Sequence, residues 1–431
     1  MRKSLVRLAP LALYAMVGAA FADDSGVTVY GILDTALGNI EHALDFDGYH
    51  PVANNPNVTH GTDSATGLFN GAMSATRWGI KGQEDMGGGL KALFLLESGF
   101  NVGSGNLSNA AEGLANNKST GPNMSADSAI SGQFFSRGAY VGLSSTSWGT
   151  LTAGRQQSFF LDNITVFDPL MGSQVFSPIG FSGSYGGGGY TDDSRVDNSL
   201  KYKLNAGDFS LGALYKFGGV AGSFSAQNAY ELNGIYASGP LAVQLGFQKF
   251  DDAFSLSNAS GTGTIKATAG DTKAYMLSGK YAWSQTTLRA GYELEEIANP
   301  SNPTLDAAVT TVFGYALSAA PTVDAYPNEE KLNVFWVGGQ EDFTSAFSLL
   351  LGVYHVLQNG YDCTAKTEKA CSGTLNYYSL VADYHFSKRT DTYFGIMDDT
   401  VSGGPAAAVA NTSGPSETHN RTVALGLRHI F

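Results

Sequence analysis

Residues 272–296 and 421–431 alternate apolar and polar side chains almost without a break. In the first stretch Leu288, Ala290, Tyr292 and Leu294 share one phase, and Thr287, Arg289, Gly291, Glu293 and Glu295 the other. In the second, Val423, Leu425, Leu427 and Phe431 oppose Thr422, Ala424, Gly426 and Arg428. Successive side chains of a strand point to opposite faces, so these strands have one greasy face and one wet face. Strands that are apolar outside and polar inside, repeated along a chain, describe a closed barrel with lipid outside and water inside.

The N-terminus supplies a route to such a place. Arg2, Lys3 and Arg7 precede an apolar run from Leu8 to Ala19, and Ala20-Phe21-Ala22 is a small-x-small cleavage site. This predicts a signal peptide over 1–22 and a mature barrel over 23–431; the alternative is a membrane-anchoring helix, for which the run is short. No other apolar run is long enough for a spanning helix. Mean hydropathy is −0.07, as expected when half of each strand faces water. The chain carries 54 Gly, 21 Tyr and 25 Phe, which suit tight turns and interfacial aromatic belts. A formal charge of −13 excludes a nucleic-acid binder. Loop carboxylates such as Asp45, Asp47, Asp251, Asp252, Asp306, Glu329 and Glu330 read as a solvated outer surface.

The chain can be laid out as about 16 strands whose connections alternate between short and long, the rule for an outer-membrane barrel with short periplasmic turns and long extracellular loops. Short connections fall at Glu84–Gly89, Ser144–Ser147, Asn205–Asp208, Gly239-Pro240, Trp283–Gln285, Gln340–Thr344 and Ser387–Thr390. Long ones fall near 40–72, 99–133, 157–194, 219–226, 251–271, 296–330, 358–374 and 399–420. Both termini then lie on the periplasmic side. Leu200, Tyr202 and Leu204 face lipid while Ser199, Lys201 and Lys203 face the lumen; Phe209, Leu211, Leu232, Leu241 and Leu245 also face lipid. Residues 90–96 are apolar on nearly both faces, which fits a strand covered by another protomer outside or by a folded-in loop inside. Tyr30, Trp78, Trp148, Phe250, Trp283, Phe386 and Phe431 sit near strand ends, where girdle aromatics belong.

Catalytic and cofactor motifs are missing, so no enzyme, cofactor or metal site is expected. The seven histidines scatter, and none makes a metal-ligand spacing. Gly87-Gly88-Gly89 superficially opens a dinucleotide fingerprint, but it precedes a strand and reads as a tight turn. Cys363 and Cys371 fit a disulfide across a small loop, worth roughly 2–3 kcal/mol, or half of a metal site; no histidine lies beside them. The lumen-phase charges are more telling. Arg77 shares its phase with Lys81, Arg137 and Arg155 flank neighbouring strands, and Arg195 shares its phase with Asp197 and Lys201. The loop between Arg155 and Arg195 carries Asp162 and Asp168. If it folds into the lumen, its carboxylates would face an arginine ladder and set up a transverse field. The alternative is that the arginines simply form salt bridges with loops.

Several runs resemble the general diffusion porins of Gram-negative bacteria, the β-proteobacterial branch in particular. They are Ser74 to Ala92, with Arg77-Trp78-Gly79-Ile80-Lys81-Gly82 inside it, and Leu96-Glu97-Ser98-Gly99-Phe100-Asn101. Further runs are Arg137 to Leu143, Gly149 to Gln156, Val196 to Tyr202, Ser387 to Thr390 and Gly426 to Phe431. Together they cover most of the mature barrel. The resemblance implies a 16-stranded antiparallel transmembrane β-barrel, assembled as a homotrimer in the outer membrane, with the third long loop folded inward. It implies that Arg77, Arg137, Arg155, Arg195, Asp162 and Asp168 line the constriction, with Lys81, Lys201 and Asp34 elsewhere in the lumen. It also implies that Phe431 serves as a recognition signal for the barrel-assembly machinery. Two departures stand out. Asp168-Pro169-Leu170-Met171-Gly172 replaces a Pro-Glu-Phe-Gly segment of many relatives, and Asp34 stands where some place a lysine. The function implied is passive diffusion of ions and small hydrophilic solutes, with outer-membrane lipids and copies of itself as partners. A substrate-specific channel or an adhesin or receptor barrel is the alternative.

Overall fold

A computed structural model describes residues 25–41, 64–105, 107, 134–179, 195–251, 256–257, 264–265, 271–299, 301, 311–312, 315–316, 328–361, 372–403 and 417–431. The expected signal peptide, Cys363 and Cys371 lie outside the described residues. The barrel strands are β1 (Gly26–Glu41), β2 (Ser64–Asn70), β3 (Arg77–Gly87), β4 (Leu90–Gly99), β5 (Gly138–Ser145), β6 (Gly149–Gln157), β7 (Arg195–Ala206), β8 (Phe209–Lys216) and β9 (Ala229–Ser238). They continue with β10 (Leu241–Phe250), β11 (Asp271–Trp283), β12 (Thr286–Ala298), β13 (Glu330–Asp342), β14 (Phe347–Gln358), β15 (Gly373–His385), β16 (Thr390–Gly403) and β17 (Glu417–Ile430). One helix, α1 (Phe159–Phe167), follows β6.

Each strand pairs antiparallel with its neighbour, and β17 closes the ring on β1 in the register Ile32↔Ile430 to Ile40↔Thr422. The 17 strands fill 16 barrel positions. β2 and β3 are two halves of one position, both paired to β1, with residues 71–76 between them. The expected loop near 40–72 therefore contains a strand. Leu68 and Phe69 are apolar on both faces, which hid its alternation.

Closure joins the last strand to the first, so the backbone polar groups of the wall are largely paired within it. Among the described residues no helix is long and apolar enough to cross a membrane, and the strands do the crossing. The turn between β3 and β4 explains its glycines: Gly87, Gly88 and Gly89 have φ of +85°, +62° and +78°, a region that side chains disfavour. The dinucleotide alternative is thereby discarded.

The outward phase matches the expected faces. Leu200, Phe209, Leu211, Leu232, Leu241, Leu245 and Leu288 are exposed, as are Trp148, Trp283, Phe386 and Phe431 near the short turns. Two expected girdle residues belong inside instead. Tyr30 is out of phase with the exposed Val27 and Val29, and Phe250 is 1% exposed and out of phase with Leu245. A shift of one residue flips the face, so position near a strand end misled where parity decides. Asp251 and Glu330, expected on a solvated surface, are also buried. In β4, Leu93 and Leu95 are buried inward-phase residues, and outward Phe94 lies across Gly82. At the seam, Phe431 and Gly31 exchange two backbone hydrogen bonds of 3.1 Å, and the phenyl ring covers Gly31, where a Cβ would meet it at 2.4 Å.

Asp34 faces inward but is fully buried, consumed by the break in the second strand. Its Oδ2 accepts from the backbone N–H of Met73 at 3.1 Å and of Ser74 at 2.6 Å, while the Tyr393 hydroxyl donates to Oδ1. Thr76 Oγ1 donates to the Asp34 carbonyl at 2.8 Å. A lysine side chain could accept none of the three bonds made to the carboxylate, which gives the departure at this position its physical sense.

Candidate functional site

The stretch from Ser158 to Ile179 touches the inward phase of strands from β7 round to β16, and the break between β2 and β3. Ser158 caps α1 by accepting from Leu161 N at 3.0 Å, and Glu231 on β9 accepts from Phe159 N at 2.6 Å. At the other end Arg289 on β12 donates to the Val166 carbonyl at 3.1 Å, and Trp336 on β13 donates to the Phe167 carbonyl at 3.0 Å. The backbone groups that a helix leaves unsatisfied at its ends are thus partly met by the wall. Asn163 donates to Asn233 at 2.9 Å, Tyr354 on β14 donates to Asp168 at 2.6 Å, and Ser379 on β15 donates to the Phe176 carbonyl at 2.6 Å. Ser173 Oγ and Val175 N both donate to the Ala72 carbonyl, beside the strand break.

Inward glycines make room for this stretch. Gly212 lies under Phe159, Gly246 under Phe160, Gly338 under Pro169, Gly352 under Leu170 and Gly395 under Phe176. A Cβ on Gly352 would come within 2.3 Å of Leu170, and one on Gly395 within 2.4 Å of Phe176. Phe160, Ile164, Leu170, Val175, Phe176 and Ile179 join Met276, Val334, Trp336, Leu350, Tyr354 and Tyr393 of the wall in one apolar cluster. Each such buried side chain contributes roughly 1.5–3 kcal/mol.

The arginines gather in the sector from β3 to β7. Glu97 on β4 draws Arg77, at 3.7 Å, and Arg137, at 2.7 Å, onto one carboxylate, which also accepts from the Tyr30 hydroxyl at 2.8 Å. Arg155 pairs with Asp197 at 2.6 Å and donates to the Ser136 carbonyl at 2.5 Å. Arg195 is buried at the start of β7. Lys81 stands 5.1 Å from the centre of the Tyr30 ring.

Asp162 and Asp168 do not face these arginines as the sequence suggested. Asp162, in the first turn of α1, pairs with Lys201 at 2.8 Å and Lys203 at 2.7 Å from β7. Burial works to raise its carboxyl, but the two ammonium groups outweigh burial and hold it below the ordinary carboxylate range. Asp168 is fully buried against Tyr354 and accepts from Gly172 N at 2.6 Å. Burial pushes its carboxyl up, against the hydrogen bonds that hold it down. Its reach toward β14 rather than β5 follows from the seating of Pro169 and Leu170 on Gly338 and Gly352.

Sequence reasoning missed Glu97 as the hub of the basic sector. Its signal was available: one acid following Leu93 and Leu95 on the inward phase of a largely apolar strand. The acids across the ring that parity had placed inward, Glu231, Glu293 and Glu295, are fully buried rather than open to water. The inner wall of β3–β7 thus carries a concentration of cations (Arg77, Lys81, Lys91, Arg137, Arg155, Arg195, Lys201, Lys203), while buried carboxylates stand on β9 and β12, where Arg289 also points inward.

The Gram-negative porin family matches residues 9–404 of this chain. An outer membrane porin protein of Bordetella pertussis is 28% identical over 450 residues, covering all of both chains. Outer membrane porin protein 32 of Delftia acidovorans is 30% identical over 251 residues, 57% of this chain and 59% of that protein. Among solved structures, the anion-selective porin from Comamonas acidovorans superposes with a TM-score of 0.64 at 20% identity, over 95% of this chain and 100% of that one. The trimer form of OmpT from Vibrio cholerae gives 0.58 at 17% identity, over 95% and 100%.

Proposed function

Since the chain belongs to the Gram-negative porins, we propose that its water-filled path narrows between the 158–179 stretch and the basic sector of β3–β7. The protein is an outer-membrane porin, crossing the membrane as a 16-stranded barrel. The observation that carries the proposal is the seating of one stretch on inward glycines of five strands, across from the inward cations of β3–β7. Anions run along the cations and other solutes along the rest of the neck, each screened over roughly 10 Å at 0.1 M salt. Lumen-facing residues in reach of water are mostly small, polar or charged, which supports diffusion of ions and small hydrophilic solutes over a path for one dedicated substrate. No catalytic role is proposed. Liposomes bearing the protein should swell with small sugars, at rates that fall smoothly as sugar size rises. Swelling with one sugar far out of size order would favour a substrate-specific channel instead.

The homotrimer belongs to the same proposal. Exposed large residues of β1, β2, β5 and β6 are all valine or leucine: Val27, Val29, Leu33, Leu37, Leu68, Val141, Leu143 and Leu151. On β9, β11 and β15 exposed tyrosines stand among them. The interfacial aromatics here, Trp148 and Phe431, stand at the short-turn end, and the aliphatic mid-strand surface of this sector suits contact with other copies. Residues 1–22 act as the signal peptide, and Cys363 and Cys371 form the loop disulfide. Phe431 completes the girdle and serves as the assembly signal; its deletion should sharply lower the amount of folded barrel in outer membranes. Normal assembly of the truncated chain would leave Phe431 a simple anchor.

A further inference from the structure

We propose that Asp383, His385 and Asp391 form a binding site for a divalent transition-metal ion of the zinc or nickel class, at the short-turn end of the lumen. Asp383 and His385 lie two residues apart on β15 and so share its inward face. Asp391 on β16 is the register partner of His385. One ligand atom from each of the three lies within 4.8 Å of the others. Separation along the chain conceals the grouping, because the third group arrives from the neighbouring strand.

Charge and hydrogen bonding point the same way. Asp383 and Asp391 are 3% and 2% exposed. Arg428 on β17 reaches both Asp391 oxygens at 3.1 Å, but its nearest approach to Asp383 is 3.6 Å. Two carboxylates against one guanidinium leave a negative charge at this end of the pore. Asp383 Oδ1 is buried with no hydrogen-bond partner, an arrangement that is costly unless something else meets the oxygen. His385 Nε2 stands 3.6 Å from Asp383 Oδ2, too far for a hydrogen bond. It is close to the roughly 3.3 Å that separates two ligands of one tetrahedral ion with bonds of about 2 Å.

Ligand chemistry selects the ion. One imidazole with two carboxylates suits zinc, nickel or copper, whereas calcium asks for six or more oxygens, more than this group holds. Three protein ligands leave a fourth position for water. The His385 side chain is 37% exposed, so the ion has a way in from the pore mouth. Once bound, it would turn a negative spot beside the current path into a positive one.

The test is calorimetric titration of the intact, detergent-purified oligomer with zinc chloride. One zinc per chain is expected. His385→Asn and Asp383→Asn should each weaken binding by about tenfold or more, the usual effect of losing a ligand or its support. His419→Asn should change nothing, although His419 also sits beside an aspartate, Asp398, at the other end of the barrel. His385 is partly exposed and its replacement leaves the Arg428 pairs intact, so that variant should fold even if Asp383→Asn does not. In planar bilayers, zinc should shift the reversal potential toward anions in the unaltered protein and not in His385→Asn. Absence of saturable binding, or binding that persists in His385→Asn or vanishes in His419→Asn, would overturn the assignment.

Discussion

Trp336→Ala should give a channel with a larger and noisier single-channel conductance in a barrel that still folds. Trp336 is 3% exposed, lies against Gly291 and donates its indole N–H to the Phe167 carbonyl. Truncating a buried tryptophan costs about 3–5 kcal/mol, and this one is shared between the wall and the 158–179 stretch. The wall keeps its backbone ladder on both sides of β13, so the loss falls on the docking of α1. Without it the Phe167 carbonyl also loses its donor, and Arg289 is left as the wall donor seen at that helix end. Trp336→Phe separates the two contributions: it keeps a ring and deletes only the hydrogen bond, worth about 0.5–1.5 kcal/mol. A modest increase in current noise is expected there. Conductance unchanged in Trp336→Ala would mean that the stretch does not narrow the path.

Much of the wall was legible in the sequence because a period of two is written locally. Leu288, Ala290 and Leu425 announce their face by parity alone, and the same rule, applied to Tyr30 against Val27 and Val29, would have placed that ring inside. β2 escaped notice because Leu68 and Phe69 leave no alternation, and its partner strand lies beyond a long connection. The seven short turns were legible for a related reason, since the alternation of the flanking strands breaks for only two to four residues, and three of the turns carry Gly, Pro or Asp. The pairing of charges was not legible. Glu97 meets Arg77 and Arg137 through the registers of β3, β4 and β5, and Tyr354 meets Asp168 across 186 residues. Nothing local tells an inward carboxylate which cation lies beside it. The glycine seats fall between these cases. Gly212, Gly338, Gly352 and Gly395 stand out as glycines inside strands, the mark of a close approach, but the side chains they receive come from a stretch far off in sequence.

These pairings change what is expected of the individual charges. Asp168 is buried against Tyr354, so neutralising it should loosen the seated stretch more than it alters the field in the pore. Glu97 controls the field, because it is the partner that restrains both Arg77 and Arg137. Glu97→Gln leaves two guanidinium groups uncompensated beside the neck, while Arg137→Ala leaves the carboxylate with Arg77 alone. An ion passing about 7 Å from an uncompensated charge in water feels roughly 0.6 kcal/mol, close to thermal energy; with opposite signs for anion and cation, this changes their permeability ratio about sevenfold before screening. Salt at 1 M, with a screening length of about 3 Å, should erase most of the difference.

The reversal potential in a potassium chloride gradient across a planar bilayer at low salt tests the basic neck most directly. Compared with the unaltered protein, Glu97→Gln should move it toward anions and Arg137→Ala toward cations. Unmoved reversal potentials in both variants, with both folded, would place the current path away from the sector of β3–β7 and contradict the account.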